Sequence, residues 1–240
     1  MKYLSILTLL FLSISCKKDN VSGPPVSYDS TCTISSVKWV HETDSFTVVL
    51  SYNSDGKLSE TDDGQRDIRL FTYNGNQIYE TDHVSFFDTT ILNSFGRIAF
   101  FTQNSLVYSY STSYIYTNDT VLQYSVTKTP SSDLSDTTFY QFTGGDLSTE
   151  ITSGYANHYT YYTDRAEQPA DIAIYDQISQ YGALAYTNKH LTKSISDGSF
   201  SVEFTYSFDA SGKIVSIRDH FDNGQLSGDV MYYFTYTCHL

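Results

Sequence analysis

The groups best suited to chemistry in this chain are its carboxylates, because the sequence contains 27 Asp and Glu residues. Paired carboxylates hydrolyse glycosidic bonds when they lie about 5–10 Å apart, and carboxylates in loops bind Ca²⁺. Two groups of acids lie close together in the sequence: Asp62, Asp63 and Asp67 beside Gly64, and Asp219, Asp222 and Asp229. Neither group has the EF-hand spacing, so we interpret both as solvated turns. An unrecognised glycoside hydrolase stays open as an alternative, since the sequence does not fix the distance between two carboxylates.

Other catalytic and metal-binding patterns are missing from the sequence. The six histidines are scattered, and no pair has the i, i+2 or i, i+4 spacing of a metal clamp. The sequence has neither the Gly-x-Ser-x-Gly motif of a hydrolase nor a glycine-rich phosphate-binding loop. It therefore predicts no catalytic residue, no metal site and no cofactor, and favours a protein that is not an enzyme.

Tyrosines are the better candidates for ligand binding. The chain has 22 tyrosines against one tryptophan. Four of them share one face of a predicted strand: Tyr108, Tyr110, Tyr114 and Tyr116. If this face is exposed, the rings can stack on sugars or hold peptides. The alternative is that the same rings pack the concave core of a wide sheet.

Two cysteines lie at the two ends of the folded region. Cys32 and Cys238 each belong to an alternating, strand-like stretch. If the first and last strands are neighbours, a disulfide between these cysteines would join the ends of the domain. The alternative is a pair of separate buried thiols.

The N-terminal residues 1–15 have the pattern of a secretory signal peptide. Lys2 supplies a positive start, and residues 4–14 form an apolar run that is too short to cross a bilayer as a helix. Leu12-Ser13-Ile14-Ser15-Cys16 resembles the loose lipobox of Bacteroides-type envelope lipoproteins. The resemblance implies acylation of Cys16, and the alternative is an ordinary signal peptide with an incidental cysteine.

The residues after Cys16 predict how the chain is held at the membrane. Residues 16–30 are rich in Ser, Gly and Pro and are typical of a flexible tether. The segment Cys16-Lys17-Lys18-Asp19-Asn20 resembles the charged tag of lipoproteins displayed on the outer leaflet. We therefore expect an outer-membrane lipoprotein, displayed on the cell surface or facing the periplasm.

The charge of the chain limits the classes of partner that we expect it to bind. The net charge is −13, and no basic stripe is present, which argues against nucleic acid. The same acidity argues against direct docking on anionic lipid. We expect contact with the membrane through the lipid anchor only, a monomeric protein, and a glycan or another envelope protein as partner.

A degenerate hairpin unit recurs between residues 31 and 240, which we interpret as a single antiparallel β-domain. Each copy has alternating aromatic or aliphatic residues, then Asn, Asp or Thr, a Gly turn and a returning Ile or Leu. The turns contain the following glycines: Gly56, Gly75, Gly96, Gly144, Gly212 and Gly224. The spacing is irregular, which excludes a regular solenoid or propeller.

The remaining alternating segments predict the fold class. Together with the hairpins they indicate an all-β protein: a large antiparallel meander of about 12–14 strands that forms a curved sheet or a barrel-like structure. One helix is predicted over residues 169–181, and the alternative is that residues 171–174 are extended. A membrane-spanning barrel is an alternative, but its lipid-facing strands would need more Leu and Val than this sequence offers.

The chain carries a resemblance to a known family in three features. They are the tyrosine–Asp/Asn–Gly hairpins, the lipoprotein signal and two C-terminal stretches. The stretches are residues 186–195 and Tyr206-Ser207-Phe208-Asp209-Ala210-Ser211-Gly212-Lys213-Ile214. The chain resembles a Bacteroides-type lipoprotein family of unknown function with a porin-like β fold. The resemblance implies a large curved or barrel-like sheet and implies no activity.

The function expected from the sequence is correspondingly broad. We expect a lipid-anchored envelope protein with a non-enzymatic binding or structural role. A cell-surface carbohydrate-binding accessory protein that uses exposed tyrosines is the first alternative, and the glycoside hydrolase is the second.

Overall fold

The computed structural model describes residues 32–65, 67–82, 87–105 and 108–238. These residues form sixteen β-strands and one α-helix. The first eight strands are β1 (Cys32–His41), β2 (Asp44–Tyr52), β3 (Leu58–Asp62), β4 (Ile68–Asn74), β5 (Gln77–Thr81), β6 (Phe87–Leu92), β7 (Ile98–Asn104) and β8 (Ser109–Tyr116). The others are β9 (Thr120–Lys128), β10 (Asp133–Thr143), β11 (Asp146–Thr152), β12 (Tyr155–Ala166), α1 (Ile172–Tyr181), β13 (His190–Ser196), β14 (Ser201–Phe208), β15 (Ile214–Asp222) and β16 (Ser227–Cys238).

The strands form one closed antiparallel barrel. Each strand pairs with its neighbours in sequence, and β16 returns to pair with β1. The predicted all-β antiparallel meander is therefore confirmed, and its sheet closes. The number of strands exceeds the predicted 12–14, because not every turn carries a sequence signal: the turn between β1 and β2, at residues 42–43, contains no glycine.

Backbone hydrogen bonds and a disulfide both close the seam of the barrel, where β1 meets β16. The β1–β16 ladder runs from the pair Cys32 and Cys238 to the pair His41 and Val230. A disulfide joins Cys32 to Cys238, as predicted from their places at the two ends of the domain. The barrel is thus held at its seam by hydrogen bonds and by one covalent bond.

The hairpin turns explain the recurring sequence unit. Asn53 Oδ1 accepts hydrogen bonds from the backbone N–H groups of Asp55 and Lys57, both at 3.0 Å. Asp209 Oδ1 does the same for Ser211 and Lys213. The glycine in each turn has a positive φ, for example 73° at Gly56, a conformation in which a side chain is strained. The recurring Asn or Asp and Gly residues therefore serve to form the hairpin turns.

The interior of the barrel has two chemically different halves. Strands β1–β5 and β13–β16 face inward with aliphatic and aromatic side chains, including Ile34, Leu50, Phe71, Ile78, Phe204, Ile217 and Phe234. On the other half, inward side chains hydrogen-bond to one another across strands: Gln103 to Asp88, Tyr110 to Ser125, Tyr140 to Gln123 and Tyr159 to Glu150. The first set of strands therefore supplies most of the apolar core, and the second supplies a polar network beside a smaller apolar cluster around Ile98 and Phe101.

The outward face is also divided. Arg218 Nη2 lies 2.8 Å from Asp229 Oδ2 on β15 and β16, and both side chains are exposed. Across β8–β11, the register instead places Ile115, Leu122, Phe139 and Ile151 in one continuous outward row. Ile115 is 57 % exposed and Phe139 45 %. The outer surface thus has a charged half and a largely apolar half.

The connection from β12 to β13 packs across the interior of the barrel. This connection contains α1, which lies inside the range 169–181 where a helix is predicted. We call residues 167–189 the plug. The Tyr175 ring meets Phe234 of β16 edge-on, and Tyr181 meets Phe101 of β7 edge-on. The plug therefore contacts distant strands of the wall. No helix among the described residues has the length and apolar character needed to cross a membrane.

Candidate ligand-binding cavity at one rim of the barrel

A cavity of about 600 Å³ lies between the plug and the inner face of strands β1–β5. Its walls are mainly aliphatic and aromatic, and the residues that face it include Ile34, Leu50, Leu58, Ile78, Leu92, Ile178 and Leu184. Cavities of this size and composition are typical of sites for one small organic ligand. We refer to this space as the rim cavity.

The mouth of the rim cavity lies at the rim where the described chain begins. Turn residues Gly56, Gly75 and Gly96 line it, and these turns connect consecutive strands at one end of the barrel. Cys32, the first described residue, also lines it. The entrance to the cavity and the N-terminal end of the barrel are therefore side by side.

The start of the plug is fixed by a buried carboxylate. Asp171 is fully buried, and its Oδ2 accepts a hydrogen bond from the backbone N–H of Thr192 at 2.9 Å. Its Oδ1 accepts from Thr192 Oγ1 at 3.2 Å, and the Tyr206 hydroxyl donates to Oδ2 at 3.2 Å. Asp171 thus links the beginning of α1 to β13 and β14.

The end of the plug is fixed by a close approach of its backbone to the wall. Gly182 has a φ of 62°, and a Cβ at this position would lie 3.1 Å from Phe71 Cδ1. Two residues on, the Leu184 carbonyl accepts a hydrogen bond from the Ile98 N–H at 3.1 Å. Together with Asp171, these contacts hold α1 along one side of the rim cavity.

Polar groups are few in the walls of the rim cavity. Lys57 Nζ lies 4.9 Å from the centre of the Tyr73 ring, a cation–π distance. The Tyr73 hydroxyl is buried and has no hydrogen-bond partner among the described residues, and burial raises its pKa to about 12. Within the described part of the chain, the residues that line this cavity include no acid. The cavity therefore offers apolar contact, one cation and neutral polar groups.

Two buried carboxyl groups face each other on the inner wall, outside the lining of the rim cavity. Glu80 and Asp88 are paired positions on β5 and β6, and each is only 4 % exposed. Arg69 Nη1 lies 3.3 Å from Glu80 Oε1, while Glu80 Oε2 and Asp88 Oδ1 have no partner among the described residues. Burial raises the pKa of Glu80 to about 8 and that of Asp88 to about 6.

This pair predicts how stability depends on pH. In the unfolded chain Glu80 ionises near the ordinary glutamate pKa of 4.5, whereas in the folded chain it keeps its proton up to about pH 8. The stability contributed by the neutral form is complete below about pH 4.5 and is lost as the pH rises through 8. Urea unfolding should therefore show a free energy of unfolding that falls between about pH 5 and 8, by at most about 1.4 kcal/mol per pH unit for this proton.

Glu80→Gln should reduce this slope, because the amide does not titrate; the slope that remains includes Glu167, whose pKa burial also raises to about 8. The exposed Glu203→Gln is the matched control and should leave the slope unchanged. An unaltered slope in Glu80→Gln would show that the titrating group lies elsewhere.

The predicted tyrosine site is turned towards the inside of the barrel. The Tyr110 hydroxyl lies 3.1 Å from Ser125 Oγ, and the Tyr116 hydroxyl donates to the Ile98 carbonyl at 2.5 Å. Tyr114 is half-buried, and burial raises its pKa. Tyr108 is 38 % exposed and lies just before β8. Tyr110, Tyr114 and Tyr116 therefore lie on the inner face of β8, as in the packing alternative, and a role of these rings in ligand binding stays a prediction.

The two acidic clusters of the sequence do not assemble into sites among the described residues. Asp62 and Asp63 accept hydrogen bonds from the backbone of their own turn, as expected for solvated turns. Asp222 does the same at Gly224, whereas Asp229 pairs with Arg218 on the outside. Asp219 has a buried carboxyl oxygen, and burial raises its pKa to about 6. Cys16 lies outside the described residues.

The described residues together define a closed sixteen-stranded β-barrel that is crossed by an internal plug and has an apolar cavity at a rim. A porin-like protein from Bacteroides vulgatus ATCC 8482 has a similar structure, with 18 % identity and a TM-score of 0.65 over 85 % of this chain and 98 % of that one. A porin-like protein from Bacteroides uniformis ATCC 8492 is similar at 16 % identity, with a TM-score of 0.65 over 86 % and 97 % of the two chains. These likenesses confirm the porin-like β fold. No protein-family model and no curated protein sequence matches the chain.

Proposed function

We propose that this chain is a lipid-anchored envelope protein with a non-enzymatic role, and that it holds one small apolar ligand in the rim cavity. The observation that carries the proposal is the cavity itself, about 600 Å³ in volume and walled largely by aliphatic side chains. Burying apolar ligand surface there contributes about 25 cal/mol per Å² of area removed from water, before the cost of association is subtracted.

The position of the cavity supports a role close to a bilayer. If Cys16 is acylated, the tether joins the barrel at Cys32, which lines the rim cavity. The cavity mouth would then face the lipid surface from which an apolar ligand comes. The porin-like likeness of the fold is in keeping with an outer-membrane or envelope location.

The outer surface supports attachment through the anchor rather than a barrel spanning the bilayer. Arg218 and Asp229 form an exposed ion pair on the outward face of β15 and β16. A basic side chain that faces lipid at the bilayer midplane costs about 2–4 kcal/mol. Placing the charged half of the barrel in water avoids this cost, so we propose that only the acyl chains enter the membrane.

The buried carboxyl pair supports a role without catalysis. Glu80 and Asp88 do not line the rim cavity. A glycosidase acid and its partner carboxylate must both reach the substrate. This position of the two acids supports the non-enzymatic role that we propose, because neither reaches the cavity that would hold a ligand.

Uptake of an environment-sensitive dye tests the proposal. N-phenylnaphthylamine should bind the chain from residue 16 onward, carrying Cys16→Ser, saturably and with one dye per protein. This form keeps every described residue. Ile178→Trp places an indole in the cavity and should weaken dye binding at least about tenfold, or about 1.4 kcal/mol.

The control is Ile115→Trp, which adds the same side chain on the outward face and should bind the dye as the parent protein does. Circular dichroism establishes that both variants are folded. Equal binding by the two variants, or uptake without saturation, would place the dye outside the rim cavity and refute the proposal.

A further inference from the structure

We infer that the ligand of the rim cavity is a single-chain amphiphile with an anionic head group, the chemical class to which fatty acids belong. This inference rests on the proposed function and adds the chemistry of the head group. It is carried by the charges that surround the cavity mouth and by their partners.

The charge of the cavity wall is opposite to that of the protein. The chain as a whole has a net charge of −13, yet none of the described residues that line the rim cavity is Asp or Glu. Lys57 is the one Lys or Arg among these lining residues. A ligand with a negative group therefore meets an attractive charge at this position, whereas a cationic ligand meets a repulsive one.

Lys57 is held in place without a carboxylate partner among the described residues. Its Nζ lies over the Tyr73 ring at 4.9 Å from the ring centre, and its backbone N–H donates to Asn53 Oδ1. None of the ion pairs in the described part of the chain includes Lys57. Tyr73 thus acts as a positioning residue that aims this cation at the cavity mouth.

Lys213 lies next to Cys32 and, unlike Lys57, has a carboxylate partner. Lys213 Nζ lies 3.9 Å from Asp209 Oδ2 and donates to Cys32 Sγ at 3.4 Å and to Cys238 Sγ at 3.5 Å. Its charge is compensated and its donors are used. Lys57 is therefore the better candidate to bind a ligand head group.

The positions of the cation and the apolar wall set the orientation of the ligand. Lys57 lies in the turn between β2 and β3, whereas Leu50 and Ile78 are buried inward-facing strand residues. A head group at the rim and a hydrocarbon chain directed inward satisfy both surfaces. A cavity of about 600 Å³ is large enough for one ligand of the size of a drug molecule, and so for one hydrocarbon chain.

Displacement of bound N-phenylnaphthylamine by three amphiphiles with the same chain tests the head group. The three are dodecanoate, dodecanol and dodecyltrimethylammonium, each below its micelle concentration. Because Lys57 is exposed, its charge is partly screened. Dodecanoate should bind about threefold more tightly than dodecanol and about tenfold more tightly than dodecyltrimethylammonium.

Lys57→Gln should abolish this order of affinities, so that dodecanoate, dodecanol and dodecyltrimethylammonium displace the dye at similar concentrations. Lys193→Gln is the matched control, because Lys193 Nζ also lies over a tyrosine ring, 5.9 Å from the centre of Tyr162, and does not line the rim cavity. It should keep the preference for dodecanoate.

The outcomes separate this inference from the proposed function. Equal displacement by all three amphiphiles, a preference for the cation, or a preference that survives in Lys57→Gln would overturn the anionic head group and leave apolar binding intact. Absence of any saturable dye binding in the parent protein would refute both.

Discussion

Replacing Cys32 and Cys238 together by serine is expected to lower the free energy of unfolding by about 4–5 kcal/mol. The two cysteines are separated by 206 residues in sequence, so their bond removes a large amount of loop-closure entropy from the unfolded chain. The same residues are paired at the seam where β1 meets β16. The bond therefore constrains the longest-range contact that the barrel has to form.

Urea unfolding in a Cys16→Ser background measures this effect without interference from a third thiol. The dependence of the free energy on urea concentration should also become steeper, because the unfolded chain without the bond exposes more surface. Reduction of the parent protein should give the same loss as the double serine variant. Thr33→Ser and Thr237→Ser, on the adjacent pair of positions, are controls that should change stability little. A loss below about 1 kcal/mol would mean that the unfolded chain is already restricted at its ends.

Asp171→Ala is expected to destabilise the protein by about 3–5 kcal/mol. The side chain is fully buried and accepts hydrogen bonds from the backbone and hydroxyl of Thr192 and from the Tyr206 hydroxyl. Alanine leaves the backbone N–H and the hydroxyl of Thr192 without their acceptor, and Thr192 is itself only 1 % exposed. The Tyr206 hydroxyl keeps its hydrogen bond to the Thr192 carbonyl at 2.7 Å. The start of α1 loses its link to β13 and β14, so the wall of the rim cavity formed by the plug should loosen as well.

Two measurements check this prediction. Urea unfolding gives the loss of stability, and dye titration in urea-free buffer, where both proteins are folded, should show weaker binding than in the parent protein. Asp164→Ala is the matched control, because Asp164 is 53 % exposed and has only a long contact of 3.9 Å with its neighbour Arg165. It should remain within about 0.5 kcal/mol of the parent. If Asp171→Ala unfolds with parental stability and binds dye normally, the plug is held by its apolar contacts alone.

Much of the fold could be predicted because its signals are local. The Asn53 and Asp209 turns, each ending in a glycine with positive φ, identify hairpins from a few consecutive residues. The disulfide followed from the placement of two cysteines on the first and last strands. The turn between β1 and β2, at residues 42–43, contains no glycine, so the sequence does not mark it as a turn.

The direction in which each strand faces could not be predicted from the sequence. On β8, tyrosines alternate with Ser and Ile, so both faces of the strand suit either an interior or a surface. Only closure of the barrel decides that Tyr110 and Tyr116 hydrogen-bond inside. The exposed tyrosine ladder was therefore an open alternative that local pattern could not exclude.

The rim cavity was not predicted for a related reason. It brings together Leu50, Ile78 and Ile178, which are far apart in sequence, and it exists because α1 lies across the interior. The available signals were Pro169 and Gly182, which bracket α1 and mark the ends of a connection with its own structure. Lys57 differs from the other lysines in its position, because it lines the cavity and forms no ion pair with the described residues. Neither property can be read from the sequence around it.

The most direct test of the central claim is a crystal structure of the protein with bromododecanoic acid, using the anomalous signal of the bromine atom to locate the chain. We predict one bromine peak inside the rim cavity, between Leu50 and Ile178, with the carboxylate at Lys57 Nζ. A structure with an empty rim cavity at saturating ligand, or with the bromine peak only on the outward face of the barrel, would contradict the account.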